Sequence, residues 1–542
     1  MRGLMQDWPL TVDRIIDHAA RWHGAREIAY RRRDGTFAKT SYLKIRDRAR
    51  RVSSVLQNLG VSVGDRIATL AWNTPEHMET WYGIMGIGAI CHTLNPRLFA
   101  DQLVYIVTHA GSRVLFTEPD FLPFVRDNLA RMPCVEKVMV YGDEAAAAQV
   151  QDTITYEAAL AGVRGDATAW GGFDEDTACG LCYTSGTTGN PKGVLYSHRS
   201  NFLHALTTLQ SDLFGLSERD VVLPVVPMFH ANAWGLTFAA PAVGAKMVFP
   251  GSRLDGESVF ELIEAQEVTF SAAVPTVWQS MLQHLRTTGQ RLTTLRRVII
   301  GGSACPENLI RAFHDDYGVE VLHLWGMTEL SPVGTVGAMT ADMAARPLDE
   351  QMPLRLKQGR PPLGVDLALF DDANKATPND GKSVGRLKVR GMSVTSAYLG
   401  SLHNDALDEN GWFDTGDIAA IDQRGFVQIT DRAKDVIKSG GEWISSIEIE
   451  NIAVGHPDVA VAAVIGRPHP KWDERPLLLI QPNAGCSPTE KDLLSFLDGK
   501  IANWWMPDAV VVIDKVPIGS TGKIDKKELR AMADRGAFEP GA

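Results

Sequence analysis

The 542-residue sequence contains no long apolar run. No stretch approaches the roughly 18 consecutive apolar residues that indicate a membrane-spanning helix. The first ten residues, MRGLMQDWPL, lack the apolar core of a secretory signal peptide. We therefore expect a protein without a membrane span that works in the cytoplasm.

Cysteine is also scarce, and positively charged residues are outnumbered by negatively charged ones. Six cysteines are too few for a disulfide framework, and the net charge of −11 disfavours a general nucleic-acid or anionic-membrane surface. Cys179 and Cys182 have the C-x-x-C spacing of redox motifs, but they lie in the apolar run TACGLCYTS. If that run is a strand, the two side chains point to opposite faces, which predicts buried thiols.

The order of apolar patterns predicts an α/β protein of several domains. Helical and strand-like patterns alternate over the first 170 residues and again through the middle of the chain, as in parallel sheets with covering helices. Short β-like pieces near 355–430 favour a small β subdomain. A compact α+β module begins at about 432. Within it, Ser445 with Glu448, and Ser487 with Pro488 and Glu490, predict two helix starts.

The segment YTSGTTGNPKG (183–193) has the composition of a phosphate-binding loop. It is not a Walker loop, because its lysine follows a proline instead of opening a helix. Glycines allow close backbone approach, the hydroxyls supply donors for phosphate oxygens, and Lys192 adds a charge. Taken alone, the segment is equally well explained as a generic turn.

Further motifs make the phosphate-loop interpretation specific. They are PMFHANAW (227–234), GGSACP (301–306), LWGMTE (324–329), GWFDTGD (411–417), DRAKDVIKSGGEWIS (431–445) and PIGSTGKIDK (517–526). In this order the set resembles the adenylate-forming (ANL) superfamily of acyl-CoA synthetases, luciferases and peptide-synthetase adenylation domains. The resemblance covers nearly the whole chain.

The resemblance implies a fold and a reaction. The expected fold is a large N-terminal part, 1–431, of two α/β subdomains and a β subdomain, then a hinge at 432–434 and a small mobile α+β domain at 435–542. The expected reaction joins ATP and a carboxylate into an acyl-adenylate and pyrophosphate, after which the thiol of coenzyme A takes the acyl group. Many relatives are dimers, so a homodimer is one expected assembly.

The resemblance also assigns residues to the nucleotide. Glu329 would bind Mg²⁺ with Thr184 beside it, Thr328 would contact the α-phosphate, and Asp417 would hold the ribose. The positions that match ATP-binding residues of the superfamily are Thr184, Ser185, Gly186, Thr187, Thr188, Lys192, Gly302, Ser303, Ala304, His323, Trp325, Gly326, Thr328, Asp417, Arg432, Lys434 and Lys523.

Lys523 is the leading catalytic candidate, with His230 and Glu329. A lone lysine in a glycine-rich loop is ordinarily a solvated surface residue. Matched to the superfamily, Lys523 is the lysine that bridges the carboxylate and the α-phosphate, where the transition state gains negative charge.

The thiol step would use another face of the C-terminal domain. Lys434 matches the hinge residue. The positions that match the coenzyme A route are Lys438, Ser439, Gly440, Gly441, Glu442, Trp443 and Glu474, the last as a supporting partner. A glycine is common in the superfamily where Asp473 precedes that glutamate.

The acid would lie beside His230, Trp234, Gly302 and Gly326. His230 and Trp234 are four residues apart, so a helical turn would place them on one face. PMFHANAW offers no carboxylate for an amino-acid ammonium, and Gly326 stands where acetate-specific relatives carry a bulky tryptophan. We therefore expect a plain acid longer than acetate.

The whole pattern is especially similar to bacterial 3-methylmercaptopropionate-CoA ligases within the medium-chain acyl-CoA ligase branch. A thioether is nearly isosteric with a methylene, so short and medium-chain fatty acids are the alternative substrates. A peptide-synthetase adenylation domain, a luciferase-like oxygenase and a non-catalytic nucleotide-binding regulator are the remaining alternatives.

Overall fold

The computed structural model describes residues 1, 3–184, 190–439, 442–519 and 523–538. Strands in the described ranges are β1 (Glu27–Arg31), β2 (Phe37–Ser41), β3 (Arg66–Leu70), β4 (Ile90–Thr93), β5 (Val114–Thr117), β6 (Lys137–Val140), β7 (Thr153–Thr155), β8 (Ala178–Tyr183), β9 (Gly193–Ser197), β10 (Val221–Pro224), β11 (Lys246–Phe249), β12 (Phe270–Ala273), β13 (Arg297–Gly301), β14 (Glu320–Gly326), β15 (Val333–Val336), β16 (Val365–Phe370), β17 (Val384–Gly391), β18 (Phe413–Ile421), β19 (Val427–Arg432), β20 (Ile437–Ser439), β21 (Glu442–Ile444), β22 (Val459–His469), β23 (Asp473–Pro482) and β24 (Ala509–Val512).

The α-helices in the same ranges are α1 (Asp13–Trp22), α2 (Tyr42–Asn58), α3 (Pro75–Gly86), α4 (Ala100–Ala110), α5 (Leu122–Asn128), α6 (Glu144–Ala147), α7 (Tyr156–Ala161), α8 (His198–Thr208), α9 (Leu236–Ala242), α10 (Gly256–Gln266), α11 (Pro275–Thr288), α12 (Glu307–Arg311), α13 (Ala341–Ala344), α14 (Leu348–Arg355), α15 (Ser446–Ala453), α16 (Glu490–Leu497) and α17 (Lys526–Asp534). None of them is both long and apolar enough to cross a membrane.

Two large sheets form the N-terminal part, as the alternating patterns predict. The first has the order β7-β6-β5-β3-β4-β8-β9 and the second the order β15-β14-β13-β12-β10-β11-β1-β2. Their inner strands are parallel, while β9, β15 and β2 pair antiparallel at the edges. Strands β1 and β2 precede the first sheet in sequence yet belong to the second, through the parallel pairing of β1 with β11.

One apolar core joins the two sheets. It combines Ile67 and Cys91 from the first sheet with Met247 from the second, and with Tyr42 and Trp81 from the helices between them. These side chains are almost fully buried. Fully burying one large apolar side chain contributes about 1.5–3 kcal/mol, so this shared core holds the two sheets in a fixed relation.

The C-terminal third contains two smaller sheets. Strands β16–β19 form an antiparallel sheet, which confirms the predicted β subdomain. Strands β20–β24 form the sheet of the α+β module, whose apolar core includes Ile449 and Leu493 from its helices. The change from one sheet to the other falls between Arg432 and Ile437, and the hinge at 432–434 stays a prediction.

Two local predictions have different outcomes. The Ser445 side chain accepts a hydrogen bond from the N–H of Glu448, so the start of α15 is confirmed. The prediction for Ser487, Pro488 and Glu490 is wrong. Helix α16 is capped by Thr489, which forms a reciprocal capping box with Asp492. Thr489 and Asp492 satisfy free N–H groups of the first helical turn, as Ser487 and Glu490 were expected to do. The observed cap lies two residues after the predicted one.

Cys179 and Cys182 lie on β8, as expected for a strand. The Cys179 thiol accepts from the Asn201 amide, whereas Cys182 lies against Thr93 on the other face, and both are buried. Burial raises the pKa of each thiol. They are free cysteines of the core, as predicted.

Candidate active site

The candidate site lies beyond the carboxyl ends of four parallel strands. Thr184 follows β8, His230 comes after β10, Gly302 follows β13 and Thr328 comes just after β14. Ligands of open α/β sheets bind at this end, where loops from neighbouring strands converge. The sheet topology therefore brings together motifs that are up to 144 positions apart in the sequence.

The two ends of the phosphate loop are hydrogen-bonded to each other. The N–H of Thr184 donates to the Lys192 carbonyl at 2.9 Å, and the N–H of Lys192 donates to Thr184 Oγ1 at 3.5 Å. The predictions for Ser185, Gly186, Thr187 and Thr188 lie outside the described residues. The closed base holds Thr184 and the exposed Lys192 side by side, where both can face one anion.

Glu329 is held in a short 3₁₀ turn, Thr328–Leu330. Its carbonyl accepts from the N–H of Thr395 at 2.8 Å, and its Oε1 accepts from the Tyr398 hydroxyl at 2.9 Å. The carbonyl of Thr328 accepts from the buried Tyr196 hydroxyl at 2.8 Å. Burial raises the pKa of Glu329, so bringing a cation to this carboxylate is favourable.

Asp417 is fixed on both carboxylate oxygens. Trp325 Nε1 donates to Oδ2 at 2.8 Å, and Arg432 Nε lies 2.7 Å from Oδ1. Asp417 is 2% exposed, and burial raises the pKa of its carboxyl group. Trp325 itself packs in the apolar core of the β subdomain. The resulting arrangement pre-orients a carboxylate acceptor, which suits the hydroxyls of a ribose.

Lys523 reaches this cluster from the C-terminal module. Its loop is closed by the N–H of Gly519, which donates to the Lys523 carbonyl at 2.7 Å. Its Cε lies 3.8 Å from the position that a Cβ would take on Gly302. Burial and then the positive charge of Arg432 lower the pKa of Lys523 to about 8, against the opposing effect of Asp417 and Glu329. The chain thus sets an ammonium among the residues predicted to bind the nucleotide.

His230 borders the same space. Burial, then the charges of Lys523 and Arg97, lower the pKa of the imidazole to about 4. The ring is therefore neutral at neutral pH, and it offers one N–H donor and one acceptor. A neutral ring beside a cationic lysine suits contact with a substrate carboxylate without adding a second charge.

The helical turn expected between His230 and Trp234 is wrong. The segment Ala231–Gly235 is a left-handed turn, with φ of 59° at Asn232, 50° at Ala233 and 56° at Trp234. Such angles are costly for non-glycine residues and persist only where surrounding contacts impose them. The turn brings the Trp234 ring to 3.2 Å from the position that a Cβ would take on Gly301, so Trp234 lies beside β13.

Gly326 has a steric role besides the pocket room that we expected. A Cβ at this position would lie 2.1 Å from the carbonyl oxygen of Pro332. Strands β14 and β15 pair irregularly there, with a register shift between Trp325 and Gly326. Close backbone approach therefore requires glycine at this position, whatever the size of the acid.

Two residues of the predicted coenzyme A segment, Lys438 and Ser439, lie on β20. The N–H of Lys438 donates to Glu474 Oε2 at 3.0 Å, and Ser439 Oγ accepts from Arg475 at 3.3 Å. Asp473 has φ of 70°, which explains why glycine is favoured there. Gly440, Gly441 and the side chains of Glu442 and Trp443 lie outside the described residues. Glu474 thus holds the main chain at Lys438, and its predicted role toward coenzyme A stays a prediction.

The residues around the predicted hinge are tied across it. The Asp431 carboxylate accepts from the N–H of Ser446 at 2.8 Å and from its hydroxyl at 2.5 Å. Lys526 lies against the same hydroxyl and 2.8 Å from Glu450. Lys434 is exposed, with Asp435 as its first charged neighbour. Its predicted nucleotide contact stays a prediction.

Two family models match the chain. An AMP-binding enzyme model matches residues 16–399, and the model of the AMP-binding enzyme C-terminal domain matches residues 448–523. The chain belongs to the AMP-binding enzyme family. Both halves of the site, the phosphate loop and the lysine loop, fall within or at the end of the matched ranges.

Named relatives of this AMP-binding enzyme are CoA ligases. It is 49% identical over 533 residues to a 3-methylmercaptopropionyl-CoA ligase of Ruegeria pomeroyi, with 98% of each chain covered. It is 46% identical over 532 residues to a medium-chain-fatty-acid–CoA ligase of Ectopseudomonas oleovorans, with 98% of this chain and 97% of that protein covered. The prediction of an enzyme of the acyl-CoA synthetase type is confirmed.

Solved structures agree on the fold. The anthranilate CoA ligase AuaEII, in complex with anthranoyl-AMP, superposes with a TM-score of 0.87 at 25% identity, covering 98% of this chain and all of that one. ATP-bound MatB from Rhodopseudomonas palustris gives 0.80 at 25% identity, covering 96% of this chain and 99% of that one. The predicted two-part fold of the AMP-binding enzyme is confirmed.

The donor groups fit a magnesium ion. Mg²⁺ prefers oxygen ligands and is usually held by one or two carboxylates together with substrate phosphates and waters. Among the described residues no group of three or more His, Cys, Asp and Glu side chains could hold a metal without substrate. Glu329 and the Thr184 hydroxyl would supply one carboxylate and one neutral oxygen, so the substrate phosphates would complete the set.

Sequence reasoning missed the side chains that support the site. Tyr196, Tyr398 and Thr395 hold Thr328 and Glu329, yet none of them lies in a motif used above. Tyr196 lies on β9 and Tyr398 in the connection between β17 and β18, and the neighbouring sequence marks neither as a site residue. Only the packing of segments that are distant in sequence brings their hydroxyl groups to this site.

Proposed function

We propose that this AMP-binding enzyme converts 3-methylmercaptopropionate to its CoA thioester through an acyl-adenylate, with AMP and pyrophosphate as products. The observation that carries the proposal is the position of Lys523. Its side chain comes from the C-terminal module and lies over Gly302, within the electrostatic influence of Asp417, Glu329 and His230. The C-terminal module supplies the Lys523 ammonium at the carboxyl ends of the parallel strands, and a positive charge at this place suits adenylate formation.

In the first step a carboxylate oxygen of the acid attacks the α-phosphorus of ATP. The bond from that phosphorus to the bridging oxygen of the β-phosphate breaks, and pyrophosphate leaves. Lys523 would stabilise the negative charge shared by the carboxylate and the α-phosphate. Thr184 and Lys192 would hold the leaving pyrophosphate, while Asp417 orients the ribose.

Magnesium would be held by Glu329 and Thr184. When bound with ATP, it neutralises charge on the phosphate oxygens. The buried Glu329 carboxylate, whose Oε1 is engaged by Tyr398, leaves Oε2 for the ion. ATP and coenzyme A act as co-substrates of the enzyme.

In the second step the thiol sulfur of coenzyme A attacks the acyl carbonyl, and the bond to the AMP oxygen breaks. We propose that the C-terminal domain, 435–542, turns about 432–434 between the two steps. The segment from Lys438 to Trp443, supported by Glu474, would then line the thiol route. The hydrogen bond from Lys438 N–H to Glu474 supports this arrangement.

The acid pocket favours an uncharged chain. His230 has Lys523 and Arg97 as its charged neighbours, and both are cations. They suit a substrate carboxylate and give no counter-ion for a substrate ammonium. The Ruegeria relatives, both named 3-methylmercaptopropionyl-CoA ligases, support the thioether acid. The medium-chain-fatty-acid–CoA ligase at 46% identity supports fatty acids as the alternative.

Pyrophosphate release across a panel of acids tests the proposal. Rates would be measured with and without coenzyme A for propionate, butyrate, hexanoate, octanoate and 3-methylmercaptopropionate. We expect the thioether acid to have the highest kcat/KM, with butyrate and hexanoate within about tenfold, because a hydrophobic pocket separates near-isosteres poorly. A tenfold preference for octanoate would overturn the substrate assignment in favour of fatty acids. Absence of pyrophosphate release with every acid would overturn the ligase proposal.

A cytoplasmic setting and a homodimer complete the proposal. ATP, coenzyme A and free thiols are all compatible with the reducing interior of a cell. Size-exclusion chromatography with light scattering would measure the assembly directly, and a mass of one 59.2 kDa chain would reject the dimer.

A further inference from the structure

Tyr398 lies between two groups that are predicted to meet the same polyphosphate. Its hydroxyl donates to Glu329 Oε1 at 2.9 Å. The Lys192 ammonium lies over its ring, 4.8 Å from the ring centroid. One side chain therefore contacts both the carboxylate and the loop lysine, which are 137 positions apart in the sequence.

The main chain around Tyr398 is tied to the same two places. The N–H of Leu399 donates to the carbonyl of Gly193, next to Lys192, at 2.8 Å. The N–H of Thr395 donates to the Glu329 carbonyl at 2.8 Å. Segment 395–399 thus spans the distance from the phosphate loop to the 3₁₀ turn. Its position fixes the tyrosine relative to both.

The electrostatics give the phenol and the ring separate roles. The Tyr398 hydroxyl has one proton, which it donates to Glu329, while the ring face contacts the Lys192 ammonium. A donor on Oε1 selects one rotamer of the Glu329 carboxylate and leaves Oε2 for a cation. A ring face holds an ammonium more weakly than phosphate oxygens do, so Lys192 can leave the ring for the substrate.

We propose that Tyr398 is a positioning residue that orients Glu329 for the metal through its hydroxyl and holds Lys192 ready for the polyphosphate through its ring. The inference rests on the proposed function of the site. It assigns the two contacts of one side chain to two measurable properties. The hydroxyl governs the dependence on Mg²⁺, and the ring governs the dependence on ATP.

Two variants separate the two contacts. Tyr398→Phe removes the hydroxyl and keeps the ring, so the half-saturating Mg²⁺ concentration should rise about tenfold, the size expected for losing a hydrogen bond to a charged group. Its KM for ATP at saturating Mg²⁺ should stay within about twofold of wild type, because a ring face remains available. Tyr398→Leu should also raise the KM for ATP. In a Lys192→Ala background, the added effect of Leu over Phe should vanish.

A binding measurement makes the test independent of turnover. Mn²⁺ would be titrated against the enzyme with a non-hydrolysable ATP analogue and followed by electron paramagnetic resonance. Tyr398→Phe should weaken Mn²⁺ binding by the same factor as it raises the Mg²⁺ requirement. Tyr156→Phe is the matched control, because it removes a buried phenol that donates to the carboxylate of Glu79 at 2.8 Å and not to Glu329. That control should leave Mn²⁺ affinity unchanged.

The outcomes are distinct. Unchanged Mn²⁺ affinity in Tyr398→Phe would overturn the role of the hydroxyl, and equal ATP dependence of the Phe and Leu variants would overturn the role of the ring. A uniform loss in both variants together with a lowered Tm would show a purely structural tyrosine. Failure of the wild type to release pyrophosphate with any acid would instead reject the proposed function, while Mn²⁺ binding would still report on Tyr398.

Discussion

The lowered pKa of Lys523 predicts a specific pH dependence of adenylate formation. Burial, then Arg432, lowers this pKa to about 8. A lysine is charged below its pKa and neutral above it, so the proposed catalytic charge is present at pH 7 and is lost as the pH rises through 8. The charged fraction falls from about 0.9 at pH 7 to about 0.1 at pH 9, which predicts an approximately tenfold loss of kcat/KM for ATP.

The assay is pyrophosphate release without coenzyme A, at constant ionic strength, from pH 6.5 to 9.5. The parameter kcat/KM for ATP reports the pKa of the free enzyme. Lys523→Arg provides the control, because a guanidinium stays charged throughout this range. Its absolute rate should be lower, since its planar head differs in shape, but its profile should not fall near pH 8.

Neighbouring charges should move the profile in opposite directions. Arg432→Gln removes a charge that lowers the pKa of Lys523, so the fall in rate should shift to higher pH. Asp417→Asn removes a charge that raises it, so the fall should shift to lower pH. A flat wild-type profile up to pH 9.5, or the same fall in Lys523→Arg, would refute the reasoning.

The other predictions concern the half-reactions, the pocket and the thiols. Lys523→Ala should abolish adenylate formation yet spare thioester formation from preformed acyl-adenylate; equal loss of both half-reactions would contradict its assignment. Gly326→Ala should cost about 1–3 kcal/mol through its clash with a neighbouring carbonyl, lowering Tm and reducing kcat/KM for all acids by one factor; a change in chain-length preference alone would leave pocket room as its only role. Trp234→Ala should raise kcat/KM for octanoate relative to propionate, at a cost of about 3–5 kcal/mol in stability measured by denaturant unfolding. A thiol reagent should label Cys134 and Cys486 before the buried cysteines, as judged by peptide mass mapping of the native protein.

Local sequence patterns predict the strands and helices of this fold better than they predict which strands pair with each other. The alternation of patterns predicted parallel sheets, and the pairings of β3 with β4 and β5 confirm it. The membership of β1 and β2 in the second sheet depends on the pairing of β1 with β11, more than 200 positions away. No periodicity within β1 encodes that distant neighbour.

The candidate site likewise combines residues that local motifs predict with residues whose positions depend on tertiary contacts. Motifs predicted Glu329, Asp417 and Lys523 as candidate site residues, because the chemistry expected of them is tied to short strings of residues. The left-handed turn at 231–235 was not predictable, since four consecutive non-glycine residues there, 231–234, adopt angles that tertiary contacts impose. Tyr398 was missed for a related reason. Its role depends on two partners that are distant in sequence.

The hydrogen bonds across the hinge bear on the order in which substrates add. Asp431 precedes the predicted hinge, and Ser446 follows it, so the proposed rotation at 432–434 would separate a buried carboxylate from two donors. Leaving a buried charged acceptor unsatisfied is costly, and the orientation with Lys523 in the site is therefore stabilised before any ligand arrives. The resting enzyme should accept ATP and the acid first, and coenzyme A only after pyrophosphate has left. Such an enzyme does not form its coenzyme A route before an acyl-adenylate is present in the site.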